Sequence, residues 1–336
     1  AWLDAHGFSS TVDYLAAMAE LVLTETGLLP HANAGALDAS ELARLRRVAP
    51  SQGMMLESLR PDLECHAGSP DKTPERRLAT LRVAGELAIP FTTGILVGIG
   101  EDREDRIAAL EAIAAAHDEY GHVQEVIVQN FLPKDGTRMH RSGACPPEVH
   151  LEAIALARLI LPPDIHVQAP PNLVADASDL IAAGIDDLGG ISPVTIDHVN
   201  PERPWPQIEA LAELLRGDGF VLAPRLTAHP EFVLDPDRWI DPDLHFAVMD
   251  RSDAEGLGRD DPGALFPERT MENRAVEDGA EVLLIGERST GWYSGADAVP
   301  GRILPATGRA GGAIAEVLDG ASCGQELGEE QIVTLF

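Results

Sequence analysis

The chain has 336 residues, of which 45% are hydrophobic, and a formal net charge of −30. That length carries about two domains, and the apolar share is enough for a sizeable core. Acidic residues spread along the whole chain, which excludes nucleic acid and anionic membrane surfaces as expected partners, because both repel a polyanion. Basic charge is almost all arginine; Lys72 and Lys134 are the two lysines. Cys65, Cys145 and Cys323 are far apart. They form neither a paired-ligand spacing nor a disulfide framework, so a reduced, cytoplasmic protein is expected. No apolar run reaches the roughly 18 residues that a membrane span needs.

In chain order, residues 11–26 read as an amphipathic helix with Val12, Leu15, Ala19 and Val22 on its apolar stripe. A short strand over 27–30 and a polar corner at 31–35 follow. Asp38 or Ser40 caps a helix to about Val48. Ser51–Glu57 is a strand, and Thr73-Pro74 opens a helix with Thr as N-cap and Pro at its first position. Ile89–Glu101 is the apolar, β-branched stretch that the neighbouring elements are arranged around. It reads as a buried parallel strand ending in glycines. A helix to about Asp118, a strand over 123–131, a helix over 146–160, a strand over 165–168, a helix over 173–183, a strand over 186–191 and a helix over 206–216 complete the alternation. Residues 220–250 are mixed short helices and loops. Residues 251–312, rich in Gly, Ala, Asp and Arg, read as a poorly ordered linker, and 313–336 as the start of a second module.

Six strands alternating with helices imply an α/β fold with a parallel sheet and right-handed crossovers. An open doubly wound sheet and a (β/α) barrel both satisfy this. Polar residues favour the barrel: His31, Asn33, Glu57, Gly98, Glu101, Gln129, Asn130, Gln168 and Ser192 are read at or just past strand C-terminal ends, which converge on one site only in a barrel. Six βα units do not close an eight-stranded barrel, so an incomplete TIM-type barrel over 1–250 is expected, with two units upstream of residue 1. A cluster-free aldolase-type barrel would want a Schiff-base lysine on a strand, and neither lysine falls within one.

Several strings resemble a known family. Arg77-Leu-Ala-Thr-Leu-Arg82 followed by Thr93-Gly-Ile-Leu-Val-Gly-Ile-Gly-Glu101 is similar to radical S-adenosylmethionine (SAM) enzymes of the biotin-synthase-like group. Five further strings resemble the 7,8-didemethyl-8-hydroxy-5-deazariboflavin (FO) synthase family. They are Pro30-His-Ala-Asn-Ala-Gly35, Gly68-Ser-Pro-Asp-Lys72, Gln129-Asn-Phe-Leu-Pro-Lys-Asp-Gly-Thr137, Gln168-Ala-Pro-Pro-Asn-Leu173, and the stretch from Gly189 to Glu202 with Pro204-Trp-Pro206. They cover roughly residues 1–250. The segment Arg288–Gly295 and the C-terminal Ile332–Phe336 resemble the linker and first helix of a second radical SAM half in the fused form of the enzyme.

The resemblance implies SAM and a 4Fe–4S cluster as cofactors, and an external electron donor. The implied substrate is a tyrosine-derived adduct of 5-amino-6-ribitylaminouracil, closed to the deazaflavin with loss of ammonia. It also implies a second radical SAM module in the same polypeptide. The C-x-x-x-C-x-x-C cluster motif is absent from these residues, so no metal ligand is expected in this chain and the cluster ligands are expected upstream of residue 1. For SAM the resemblance implies Glu57, Arg77, Gly98, Gly100, Glu101, Gln129, Asn130 and Phe131. For substrate it implies His31, Asn33, Ser69, Asp71, Lys72, Gln168, Asn172, Ser192, Thr195 and Asp197. A barrel partner without a cluster, and another biotin-synthase-like radical SAM enzyme, are the alternatives.

Overall fold

A computed structural model describes residues 2–259 apart from 193, 194, 196 and 198. The expectations for most of the linker, for the second module and for the two segments resembling the linker and second half therefore lie outside the described residues. After a short helix α1 (Trp2–Ala5), α2 spans Thr11–Thr26, the range its apolar stripe predicts. Ser10 caps it by accepting from the Asp13 N–H. Thr26 Oγ1 then accepts from the Leu28 N–H, which holds 27–28 in the helix-ending turn. The first strand accordingly starts later than expected, as β1 (His31–Ala32). Asp38 and Glu41 form a reciprocal capping box for α3 (Ala39–Arg46).

The remaining barrel elements are β2 (Ser51–Gly53), α4 (Pro74–Glu86), β3 (Phe91–Val97), α5 (Arg103–Tyr120), β4 (Val123–Asn130), α6 (Pro147–Ile160), β5 (His166–Gln168), α7 (Ala177–Ala183) and α8 (Ile208–Gly217). Thr73 stands at the N-cap of α4 without a side-chain cap bond, so Pro74 alone marks that start. The sixth expected strand shrinks to one parallel bridge, Gln168 to Asp187. β2 is also shorter than expected: the chain leaves the ladder after Gly53 and returns at Glu57, which bridges to Ile95.

All five strands are parallel and their spatial order equals their chain order, β1-β2-β3-β4-β5. Every crossover therefore steps in the same direction. Right-handed crossovers then place all the helices on one face and leave the other as a barrel interior, whereas a doubly wound sheet reverses its order at a switch point. Alternation along β4 shows the two faces. Val126 and Val128 are fully buried in the core that also takes Leu81, Leu110, Ile113 and Ile154 from the helices, while Ile127 and Gln129 on the other face are half-buried. On β3 a side chain at Gly94 would put its Cβ 2.2 Å from the Ile127 carbonyl oxygen and 2.7 Å from Met55 Cε, so glycine is required by close approach.

The segment after α8 forms the barrel floor. Thr227 offers its carbonyl oxygen to Ser51 Oγ, at the start of β2, and to Gln124 Nε2, near the start of β4. Helices α9 (Pro230–Val233), α10 (Pro236–Trp239) and α11 (His245–Arg251) then close a second apolar cluster around Phe232, Trp239 and Leu244. Residues 252–259, expected to belong to the linker, turn back instead: Ser252 pairs with Gly258, whose N–H donates to Pro224. The compact unit runs to Asp260. Among the described residues no helix is long and apolar enough to cross a membrane.

Candidate functional site

The strand C-terminal ends meet at Glu57. Its backbone is held in the β3 ladder, donating to the Gly94 carbonyl at 2.8 Å and accepting from the Leu96 N–H at 3.1 Å, with φ of 62°. A left-handed non-glycine residue costs about 1 kcal/mol or more and persists where its surroundings over-determine it. Here they do. The Glu57 carboxylate lies 2.5 Å from His66 Nε2, 3.0 and 3.1 Å from Lys72 Nζ, and 3.3 Å from Arg77 Nη1. Burial pushes this carboxyl up, but the charges of Arg77 and Lys72 outweigh it and hold the group below the usual carboxylate range. His66 is buried, and its Nδ1 has no hydrogen-bond partner.

The sequence reading placed Glu57, Lys72 and Arg77 in the site and passed over His66. Its signal was slight: a histidine nine residues after Glu57, on the loop that carries Lys72. Arg77 is a brace beneath Glu57. Its guanidinium donates to the Met55 carbonyl at 2.5 Å and the Leu56 carbonyl at 3.3 Å, tying α4 to the end of the β2 segment. Ser69 and Asp71 are exposed on the rim, and Asp71 pairs there with Arg76.

The turn after β3 is built by Glu101. Its carboxylate accepts from the N–H groups of Gly98 and Ile99, both at 2.8 Å, and pairs with Arg106 at 2.9 Å, with its side chain 2% exposed. Glu101 therefore shapes the turn from within, and the Gly98 N–H is satisfied by it. At Gly98 φ is 95°, and a Cβ there would lie 2.8 Å from Cys145 Cβ, so no other residue fits this turn without moving α6's lead-in. Gly100, with φ of 107°, faces more open space. Burial pushes the Cys145 thiol up to about 11, which keeps it protonated at neutral pH.

At the end of β4, Gln129 is half-buried. Asn130 donates to the Leu173 carbonyl, and its own Oδ1 is buried without a partner. Both backbone groups of Phe131 are committed, to Val97 and to Cys145. Beyond β5, Gln168 Oε1 and Asn172 Oδ1 are likewise buried without partners. Asn172 Nδ2 donates to Asp197 at 3.0 Å, and Asp197 also accepts from Asn200. Although burial pushes the Asp197 carboxyl up, these amide hydrogen bonds hold it below its usual range. Ser192 Oγ accepts from the Thr195 N–H and hydroxyl. The mouth thus combines the largely buried carboxylate of Glu57 with several side-chain oxygens that have no donor.

His31 is the one sequence-predicted residue at the opposite mouth. It opens β1 in register with Ser51, and its Nδ1 is 2.8 Å from Ser51 Oγ, which donates to Thr227 on the barrel floor. The later start of β1 moved it from the end of the strand to the beginning. Asn33 lies just past β1 and is exposed.

No family model matches the chain. Curated relatives do match. Over 257 residues the chain is 51% identical to FO synthase of Nocardia farcinica, covering 74% of this chain and 30% of that protein. Over 253 residues it is 50% identical to 7,8-didemethyl-8-hydroxy-5-deazariboflavin synthase of Archaeoglobus fulgidus, covering 75% of this chain and 76% of that protein. The chain thus spans less than a third of the Nocardia relative's length and about three quarters of the archaeal one. Among solved structures, methylornithine synthase aligns at 21% identity over 63% of this chain and 64% of its own, with a TM-score of 0.49.

Proposed function

Because the chain belongs to the FO synthase family, we propose that the mouth around Glu57 binds SAM and substrate in a radical SAM enzyme of deazaflavin biosynthesis. The reaction forms FO from the tyrosine-derived adduct of 5-amino-6-ribitylaminouracil with release of ammonia, a lyase step in the cytoplasm supplied by an external electron donor. The observation that carries this reading is the largely buried Glu57 carboxylate, kept ionised by Arg77 and Lys72 where the strand ends converge.

SAM fits these residues. Glu57 is an anionic acceptor suited to its ammonium or ribose hydroxyls. The open turn at Gly100, the half-buried Gln129 and the unpartnered oxygen of Asn130 supply backbone and polar contacts for its adenosine. Bound SAM would supply a 5′-deoxyadenosyl radical, with methionine as the leaving group, on taking up one electron from the external donor by way of the cluster. The chain's own contributions are binding, orientation and exclusion of water. Arg77 fixes the strand end that carries Glu57, Glu101 fixes the glycine turn, and His66 and Lys72 orient the carboxylate by hydrogen bonds. Ser69, Asp71, Gln168, Asn172, Ser192, Thr195 and Asp197, on the rim and later loops, are assigned to the ribityl and tyrosyl polar groups.

The described residues do not fit a 4Fe–4S cluster. They hold two cysteines, Cys65 and Cys145, against the three thiolates on one loop that such a cluster would need to leave one iron for SAM. We place the cluster ligands in a preceding part of the polypeptide, and a second radical SAM module in a following part. The 30% share of the Nocardia relative, against 76% of the archaeal one, supports that arrangement.

The test is SAM binding by calorimetry on this chain, paired with FO formation by the complete polypeptide, each with Glu57→Gln. SAM binding that weakens at least about tenfold in the variant, with loss of FO fluorescence, is expected. SAM cleavage without FO would retain the radical barrel and discard the substrate. Absence of both binding and cleavage would favour a non-catalytic barrel.

A further inference from the structure

At the barrel floor, remote from Glu57, three side chains of metal-ligating type converge. His166 opens β5, His229 precedes α9 and Glu231 lies within it. One ligand atom of each lies within 4.8 Å of the other two. The two imidazoles are nearly stacked, with ring centroids 4.5 Å apart.

The surroundings of both histidines are those of ligands. Asp186 Oδ2 is 3.2 Å from His166 Nδ1, and Glu125 Oε2 is 3.2 Å from His229 Nε2, with Asp187 3.8 Å from the same nitrogen. A carboxylate on one ring nitrogen fixes the tautomer that presents the other as a lone pair and raises its basicity. That leaves His229 Nδ1 as one nitrogen to ligate. His166 has a carboxylate beside each nitrogen, so its Nε2, 3.6 Å from Glu231 Oε1, ligates by exchanging its proton for the cation. Charge points the same way. Asp186 pairs with Arg158, while Glu125 and Asp187 share Arg225. With Glu231 the cluster has four carboxylates against two guanidiniums and the His166 imidazolium, and the excess of negative charge rises from one to two when His166 gives up its proton to ligate. A divalent cation neutralises that excess. Access exists: His229 is buried, but the side chains of His166 and Glu231 are 32% and 42% exposed.

We propose that His166, His229 and Glu231 form a binding site for a first-row divalent transition cation of the zinc class, which fastens the α9 segment to β5 at the barrel floor. Two nitrogens and one carboxylate oxygen suit a borderline ion better than calcium or magnesium. Bonds of about 2.0–2.2 Å require ligand atoms about 3.3 Å apart, so the exposed Glu231 carboxylate and the His166 ring close inward on binding. The site stands apart from the strand C-terminal mouth, and its role is structural.

Tag-free 336-residue chain, stripped with chelator, is titrated with Co2+ and then Zn2+. One equivalent of Co2+ with visible d–d bands, displaced by Zn2+, is expected. Affinity should fall at least about tenfold in His166→Gln and Glu231→Gln and be unchanged in His140→Gln, an exposed histidine elsewhere. A second readout uses the unaltered protein: Zn2+ should suppress diethyl pyrocarbonate modification of His166, located by peptide mass. No cobalt binding, binding that persists in both site variants, or modification of His166 that Zn2+ does not alter would overturn the proposal.

Discussion

His66 Nε2 lies 2.5 Å from the Glu57 carboxylate, and the same carboxylate is gripped by Lys72 and Arg77. An imidazole and two cations drawn from one loop and one helix thus converge on a single left-handed residue. The ion pairs that hold this carboxylate therefore also tie the loop and the helix to the strand end.

Replacing Glu57 by Gln leaves Lys72 and buried Arg77 without their counter-charge, and should destabilise the fold by about 2 kcal/mol at pH 7. The Glu57 carboxyl titrates below its ordinary range. Its contribution is thus fully present above the unfolded value of about 4.3 and is lost as pH falls through the lower folded value. Urea unfolding at pH 7 and at about pH 3.5 checks this, since the gap between wild type and Glu57→Gln should narrow at the lower pH.

His122 is fully buried and donates from Nε2 to the Leu81 carbonyl; burial pushes it down to about 4. The folded state resists the proton that the unfolded chain takes up near pH 6.5. Stability is whole above about pH 6.5 and should decline by about 3 kcal/mol as pH falls toward 4. His150, bonded to the Val128 carbonyl and also pushed down by burial, adds to the same slope. Chemical denaturation at pH 7 and 5 should show a shallower loss in His122→Gln than in wild type.

Gly94→Ala places a methyl group 2.2 Å from the Ile127 carbonyl oxygen, a backbone atom that cannot swing away. A cost of about 3 kcal/mol, or loss of soluble protein, is expected. Thermal unfolding measures it, and a variant with unchanged Tm would contradict the close β3–β4 approach.

Arg225 ties Asp187 to Glu125 at the floor; its Nη2 is 2.9 Å from each carboxylate, and its Nε also donates to Asp187. Arg225→Met strands both charges in a largely buried place and should cost about 3–5 kcal/mol. A double-mutant cycle with Glu125→Gln should recover part of that loss, because it removes one of the stranded charges.

Much of the architecture was legible locally. The α2 stripe, the Asp38 capping box and the apolar β3 run report which face of a segment is buried, and periodicity carries that information without knowledge of the partner. Parallel pairing followed from the strict βα alternation. The resemblance strings added the family, and with it the expectation that Glu57, Lys72 and Arg77 serve one site.

Tertiary structure decided what depends on register and on how loops fold across strand ends. One short shift of β1 sent His31 to the floor, because residues at opposite ends of a parallel strand face opposite mouths. Glu101 turned inward to satisfy the N–H groups of its own turn, a bond that no spacing announces. His66 joined Glu57 through a loop contact, and His166 met His229 and Glu231 only because the chain after α8 returns beneath the barrel. Sequence pattern determines which surfaces must be covered. Which side chains then meet is set by the path of the chain between those surfaces, and that path is chosen by the packing of the whole unit.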